Sequence, residues 1–127
     1  MKLASEGAKV VVNYFESDTD KDATLAAIKK VGGEAIAVHG DVTKQADIDN
    51  LVAKTKEAFG EQVDILVNVA GGLFARKTIE EIDEHFYDLV MNVNFKGTVF
   101  VTKAFKHMMT EGGAIVNFAS QAGRDGG

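Results

Sequence analysis

Four groups of polar or small residues in this chain recur at comparable places: Asn13-Tyr14, Gly40-Asp41-Val42, Asn68-Val69-Ala70-Gly71 and Ala119-Ser120. Each follows a short apolar run, so each falls where a strand would end. A carboxylate, amides, a hydroxyl and a glycine turn at strand ends suit the hydrogen bonding of a nucleotide or another small molecule. Strand ends are polar in many proteins, however, and the pattern alone leaves both readings open. A further polar residue, Asn94, interrupts an apolar helical stretch, where an amide without a partner is costly.

Several other chemistries are excluded. Cysteine is absent, which removes thiol nucleophiles, thiolate metal sites and disulfides, and fits a reducing cytoplasm. His39, His85 and His107 are widely spaced, with no carboxylate or histidine at ligand intervals, so no metal is expected. The four methionines read as gap-filling or helix-surface residues. The formal net charge is -5, without a basic run, and nucleic acid is not an expected partner. No apolar stretch approaches the ~20 residues needed to cross a bilayer, and the segment after Met1 has no secretory apolar region.

The elements that must position these residues follow from hydrophobic periodicity. Lys9–Tyr14 is a β-branched run expected to form a strand buried on both faces. Ser17 and Asp20 mark the start of a helix carrying Ala23, Leu25, Ile28 and Val31, closed by Gly32-Gly33. Ala35–His39 is the second strand. Thr43 is placed to cap a helix with the stripe Ile48, Leu51, Val52, Thr55 and Phe59, ended by Gly60. Asp64–Asn68 is the third strand. Thr78 and Glu81 predict a capping box opening a long helical region to about Met109, broken near Asn92–Asn94 and stopped by Gly112-Gly113. Ala114–Phe118 is the fourth strand. This alternation predicts right-handed βαβ units and a doubly wound α/β fold with a parallel sheet. Ligands of such sheets bind at the carboxyl ends of the strands.

The same strand ends carry motifs of a known family. Asn68-Val69-Ala70-Gly71 resembles the Asn-Asn-Ala-Gly signature of short-chain dehydrogenases/reductases, and Gly40-Asp41-Val42-Thr43 resembles that family's Asp-Val pair. Asn92-Val93-Asn94-Phe95-Lys96-Gly97 is similar to its asparagine-containing helix motif. Gly113–Ser120 is similar to the strand that delivers its catalytic serine. The resemblance covers essentially the whole chain and is nearest to the 3-oxoacyl-acyl-carrier-protein reductase and glucose dehydrogenase group. It implies a partial Rossmann-type domain over residues 1–127, with four strands equivalent to the family's second to fifth. Position 69 departs from the pattern, with valine in place of a second asparagine. The family's glycine-rich loop and its Tyr-x-x-x-Lys pair are not among these residues, and neither Tyr14 nor Tyr87 has a lysine four positions on.

The resemblance implies hydride transfer between NAD(P)(H) and a carbonyl or alcohol substrate. Ser120 would donate to the substrate oxygen and Asn94 would hold a water in a proton relay. Asp41 would accept from the adenine amino group, with the Val42 backbone at the ring edge. Asn68, Ala70 and Gly71 would line the cofactor ribose. Tyr14 stands where NAD-specific relatives place an acid, which leans the cofactor toward NADP, with NAD also open. The bland alternatives are a strand-end serine capping a turn, an asparagine capping a helix kink, and an Asx turn at Asp41. The parent enzyme is expected to be a homo-oligomer, and the 127 residues alone to be inactive. A nucleotide-binding or scaffolding module, or an inert gene fragment, is the competing reading.

Overall fold

The computed structural model describes residues 1–125. The chain divides into two compact units, Met1–Gln62 and the residues from Val63 onward.

In the first unit, a short helix α1 (Lys2–Ser5) precedes strand β1 (Val10–Tyr14), helix α2 (Asp18–Lys30), strand β2 (Ala35–His39) and helix α3 (Gln45–Phe59). β1 and β2 pair in parallel, with Val10 opposite Ala35 and Tyr14 opposite His39. Ser17 caps α2 as the sequence indicated: its hydroxyl accepts from the Asp20 N–H at 3.2 Å. Ala4, Ile28, Val38, Ile48 and Leu51 form the core. Gly33 belongs to that core by close approach, since a Cβ there would fall 2.8 Å from the Cβ of Ala4.

Two expectations are corrected here. Every residue of β1 is only half-buried, because the strand lies at the edge of a two-stranded sheet instead of between two covering layers. Lys44, not Thr43, is the residue preceding α3; the Thr43 hydroxyl is drawn away to Asp41, at 2.7 Å.

In the second unit, strand β3 (Val63–Asn68) leads to a 3₁₀ turn (Ile79–Glu81), helix α4 (Glu84–Met91), a π-helical segment (Asn92–Lys96), helix α5 (Gly97–Phe105), strand β4 (Met109–Asn117) and the turn-like α6 (Ala122–Asp125). β3 and β4 are parallel, with Asn68 opposite Asn117. Val101, Phe105 and Met108 are buried.

The Thr78 backbone N–H does donate to Glu81 Oε2, at 2.8 Å, but the box closes only the 3₁₀ turn. Asp83 caps the helix proper, accepting from the Phe86 N–H at 2.7 Å. Gly112-Gly113 do not stop the helix, which ends at Phe105. They lie inside β4, where Thr110–Gly113 bulge opposite the single residue Asp64. The predicted break near Asn92–Asn94 is a widened turn, with the Gly97 N–H reaching back five residues to the Asn92 carbonyl.

The strands make two parallel pairs, β1-β2 and β3-β4, and not one closed sheet of order 2-1-3-4. Each pair already has its own helical cover, α2 and α3 on the first and α5 on the second. Local burial is thus achieved without a β1–β3 ladder, and each pair keeps open edges.

Candidate active site

At the carboxyl end of β1 and β2, the side chains are tied down by one another. Asn13 Nδ2 donates to the Gly40 carbonyl at 3.0 Å, and the Gly40 N–H donates to the Tyr14 carbonyl at 2.9 Å. Chain direction beyond β2 is set by Asp47, whose Oδ2 accepts from the Asp41 N–H at 2.8 Å. Asp41 Oδ1 accepts twice from Thr43, from the backbone N–H at 2.9 Å and from the hydroxyl at 2.7 Å. Asp41 Oδ2 faces only the Lys44 ammonium, at 3.7 Å.

Burial is the largest single influence on Asp41 and favours its neutral form. The two Thr43 donors and the Lys44 charge together outweigh it and hold the carboxyl below its ordinary value. Asp41 is therefore an anion with one oxygen saturated and one still able to accept. The next backbone N–H, that of Val42, has no acceptor among the described residues. An acceptor oxygen beside a donor N–H matches the amino group and ring nitrogen on one edge of adenine. The Asx turn expected at Asp41 is present in this geometry.

Tyr14 lies in the same unit. The Lys21 ammonium stands 5.1 Å from its ring centroid, while Asp18 and Asp22 each approach that ammonium at 3.2 Å.

In the second unit the ends of β3 and β4 are joined through amides. Asn68 Nδ2 donates to Asn117 Oδ1 at 2.8 Å and to the Thr102 hydroxyl at 3.1 Å. Asn94 grips the turn that follows. Its Oδ1 accepts from the Gly72 N–H, and its Nδ2 donates to the Gly72 carbonyl and to the Val90 carbonyl, all at 2.9 Å.

This explains Gly71 in a way the motif did not suggest. A Cβ at 71 would lie 2.7 Å from Asn94 Oδ1, so the glycine is needed for the approach of the amide. Both amide hydrogens of Asn94 are committed. Its main-chain carbonyl also receives a 3.5 Å bond from the Thr98 hydroxyl. Ala70 and Val69 are exposed in the same turn.

Ser120 is exposed beyond β4, and its Oγ accepts from the Ala122 N–H at 3.2 Å. The turn-capping role expected of a strand-end serine is thus real. It uses a lone pair of the hydroxyl and leaves the proton available for donation.

Asn13, Asp47, Thr102, Asn117 and Gly72 also support these groups, and the sequence analysis gave none of them a role. Asn13 did carry a signal, as an amide within a β-branched run.

Parallel strands crossed over by helices, with polar groups at their carboxyl ends, place the chain among the doubly wound α/β proteins. A family model described as enoyl-(acyl carrier protein) reductase matches residues 1–127. The chain is 38% identical to a 3-oxoacyl-[acyl-carrier-protein] reductase of Synechocystis sp., aligned over 99% of this chain and 51% of that one. A solved short-chain dehydrogenase of Burkholderia cenocepacia, in complex with NADP, superposes with a TM-score of 0.86 at 34% identity, over 94% of this chain and 48% of that one. An NADH-dependent reductase of alginate metabolism gives the same TM-score and identity, over 99% and 54%. The chain belongs to the short-chain dehydrogenase/reductase family. It spans about half the length of the relatives it matches. Among the described residues no helix is long and apolar enough to cross a membrane.

Proposed function

We propose that these residues are the interior half of an NAD(P)-dependent Rossmann domain that reduces a small-molecule carbonyl or oxidises the corresponding alcohol. The observation that carries this reading is the Asp41–Val42 pair, an unsaturated carboxylate oxygen next to an unpartnered N–H. Asn68, Ala70 and Gly71 would line the ribose, on a turn that Asn94 holds without any ligand. The nicotinamide supplies or takes the hydride when bound. The Ser120 hydroxyl donates to the substrate oxygen as negative charge develops there, and the Asn94 carbonyl holds a water of the proton relay.

The proposed cofactor is NADP. Tyr14 brings no carboxylate, and Lys21 stands over its ring. The carboxylates paired with Lys21 are largely exposed, and such pairs are worth only about 0–1 kcal/mol, so a 2′-phosphate can take the ammonium from them.

A homo-oligomer is proposed on separate grounds. Tyr87, Met91, Phe95 and Val99 are exposed at four-residue steps along α4, the π-helical segment and α5. Acidic residues (Glu84, Asp88) lie toward one end of that stripe and Lys96 and Lys103 toward the other, which suits antiparallel self-pairing. Absence of cysteine supports a cytoplasmic setting.

The test is a graft of residues 1–127 in place of the matching half of the Synechocystis reductase. The graft should oxidise NADPH with a 3-oxoacyl thioester, and Ser120→Ala should lower its kcat by about 10²–10³. The 127-residue chain alone should show no turnover. A folded graft whose rate changes less than threefold on Ser120→Ala would return that residue to turn capping.

A further inference from the structure

The loop after Gly72 contains a residue whose side chain does not suit its backbone. Phe74 has φ +61°, and among the described residues no other residue except glycine has a positive φ. The Ala75 N–H donates to the Leu73 carbonyl at 2.7 Å, so Phe74 sits at the apex of a three-residue turn. With a positive φ at its centre this is the strained form of that turn, and a bulky side chain there is a true outlier. Glycine would relieve the strain, and glycine is at hand. Gly71 and Gly72 come just before, yet neither has a positive φ.

Core packing does not account for the phenylalanine. Phe74 is 50% exposed and Leu73 beside it 59%. The ring is nonetheless located. Its far end lies over Gly72, where a Cβ would come 3.4 Å from Cζ and 3.6 Å from Cε1. Gly72 is itself held by Asn94 through both its N–H and its carbonyl. At the other end of the loop, the Thr78 N–H donates to Glu81 Oε2 and Lys77 Nζ donates to the Glu81 carbonyl at 3.3 Å. Leu73 to Lys77 thus span two fixed points, and backbone strain persists only where the flanks over-determine it. A strained, anchored and half-exposed ring calls for a use outside folding.

Its place in the fold says which use. β3 and β4 run parallel with Asn68 opposite Asn117, and the Phe118 N–H extends the pairing to the Asn68 carbonyl at 3.0 Å. Phe74 follows Asn68 by six residues and Ser120 follows Asn117 by three, so both stand beyond the same end of the same two strands. With Ser120 donating to the substrate oxygen, the groups attached to that carbonyl lie at this end too. Leu73 and Phe74 meet them with side chains that have no donor and no acceptor. A polar substituent set against such a surface loses water and gains no partner. An aryl or branched alkyl group gains burial, and an aryl group gains ring contact as well.

We infer that Phe74, held in its strained turn, is a specificity-determining residue that selects substrates whose reacting carbonyl carries an aryl or bulky apolar group over those carrying a polar one. This rests on the oxidoreductase reading of the site and names the substrate class within it.

The test uses the graft of residues 1–127 and two 3-oxoacyl thioesters that differ only in the group on the reacting carbonyl, phenyl or methoxymethyl. The parent graft should favour the phenyl substrate in kcat/KM with NADPH. Phe74→Ala should lower the phenyl-to-methoxymethyl ratio by about 10- to 200-fold, the discrimination that a small apolar contact supplies. Phe74→Leu keeps an apolar side chain and should retain most of the ratio. Phe74→Asn, a residue type that tolerates positive φ, should lose as much as alanine. Phe74→Gly separates specificity from structure. It should lose the ratio as alanine does, while its urea midpoint stays level or rises because the strain is gone.

A parent graft that favours the methoxymethyl substrate, or a ratio that changes less than twofold in both Phe74→Ala and Phe74→Gly, overturns the specificity assignment while the oxidoreductase reading stands. A lower urea midpoint in Phe74→Gly, with both rates falling in equal proportion, makes Phe74 a structural residue and overturns it likewise. A parent graft that folds by circular dichroism and reduces neither thioester removes the oxidoreductase reading, and this inference with it.

Discussion

Gly71→Ala and Asn94→Ala should damage the same contact, and their combination should show it. A Cβ at Gly71 would meet Asn94 Oδ1 at 2.7 Å, Asn94 Cγ at 3.7 Å and the Val69 carbonyl at 3.9 Å. The amide cannot swing aside cheaply, because three hydrogen bonds pin it to Gly72 and Val90. Each neutral bond contributes about 0.5–1.5 kcal/mol net. Water replaces part of that at an exposed site, so either single substitution should cost about 1–2 kcal/mol. With Asn94 already alanine, both close neighbours are gone and the 3.9 Å contact is ordinary. The backbone at Gly71 is not in the left-handed region, so alanine is tolerated there and gains about 0.4–1 kcal/mol by restricting the unfolded chain. The double variant should therefore be at least as stable as Asn94→Ala alone, a coupling of about 1–2 kcal/mol. Amide exchange of Gly72 reads the clamp locally and urea titration reads the whole. Additive losses, or a Gly72 N–H exchanging at the unfolded rate in the parent, would refute the reasoning.

In the graft, Tyr14→Asp should shift preference from NADPH toward NADH through repulsion of about 1–4 kcal/mol at 4 Å; an unchanged ratio of kcat/KM values would show that Tyr14 does not face the 2′ position. Asp41 is held below its ordinary value in the folded chain, so its contribution to stability is complete above about pH 4 and is lost as pH falls through the lower native value. The stabilities of the parent and Thr43→Val should accordingly differ at neutral pH and converge in acid; parallel urea midpoints across that range would disprove the link. Phe95→Glu should lower the oligomer fraction seen by sedimentation without changing the circular dichroism, and an unaltered sedimentation profile would remove α4–α5 as an association face.

The order of elements was legible because two hydrophobic periods alternate along the chain. Ile48, Leu51 and Thr55 fall on one helical stripe, and all three are buried. What misled were signals that are locally correct and tertiarily indifferent. Thr78 and Glu81 do bond as a capping box, yet a box specifies only the first turn, and Asp83 caps the helix five residues after Thr78. Gly112-Gly113 looked like a helix stop because a left-handed glycine serves a bulge equally well; Gly112 has φ +82°. For the sheet two outcomes were open, one closed four-stranded sheet or strands left apart around an empty slot, and the two separate pairs exclude the first. Edge avoidance argued for closure, but closure also requires side chains to interdigitate across the join, and strand pattern contains no information about that.

The site was legible in its motifs and partly obscure in its causes. Asn94 stood out because an amide on an apolar helix needs a partner, but the partner, Gly72, is 22 residues away. Periodicity reports what each residue prefers and is silent about contacts at that separation. The same limit hid Asn117, which meets Asn68 across 49 residues. Once these contacts are known, the glycine of the motif changes meaning: Gly71 is small so that Asn94 can reach the adjoining backbone. The turn is thereby fixed from the helix side. Preorganisation of this kind reduces the ordering cost of binding. It also gives the π-helical segment a physical role, since the widened turn at Asn92–Lys96 carries the amide that does the holding.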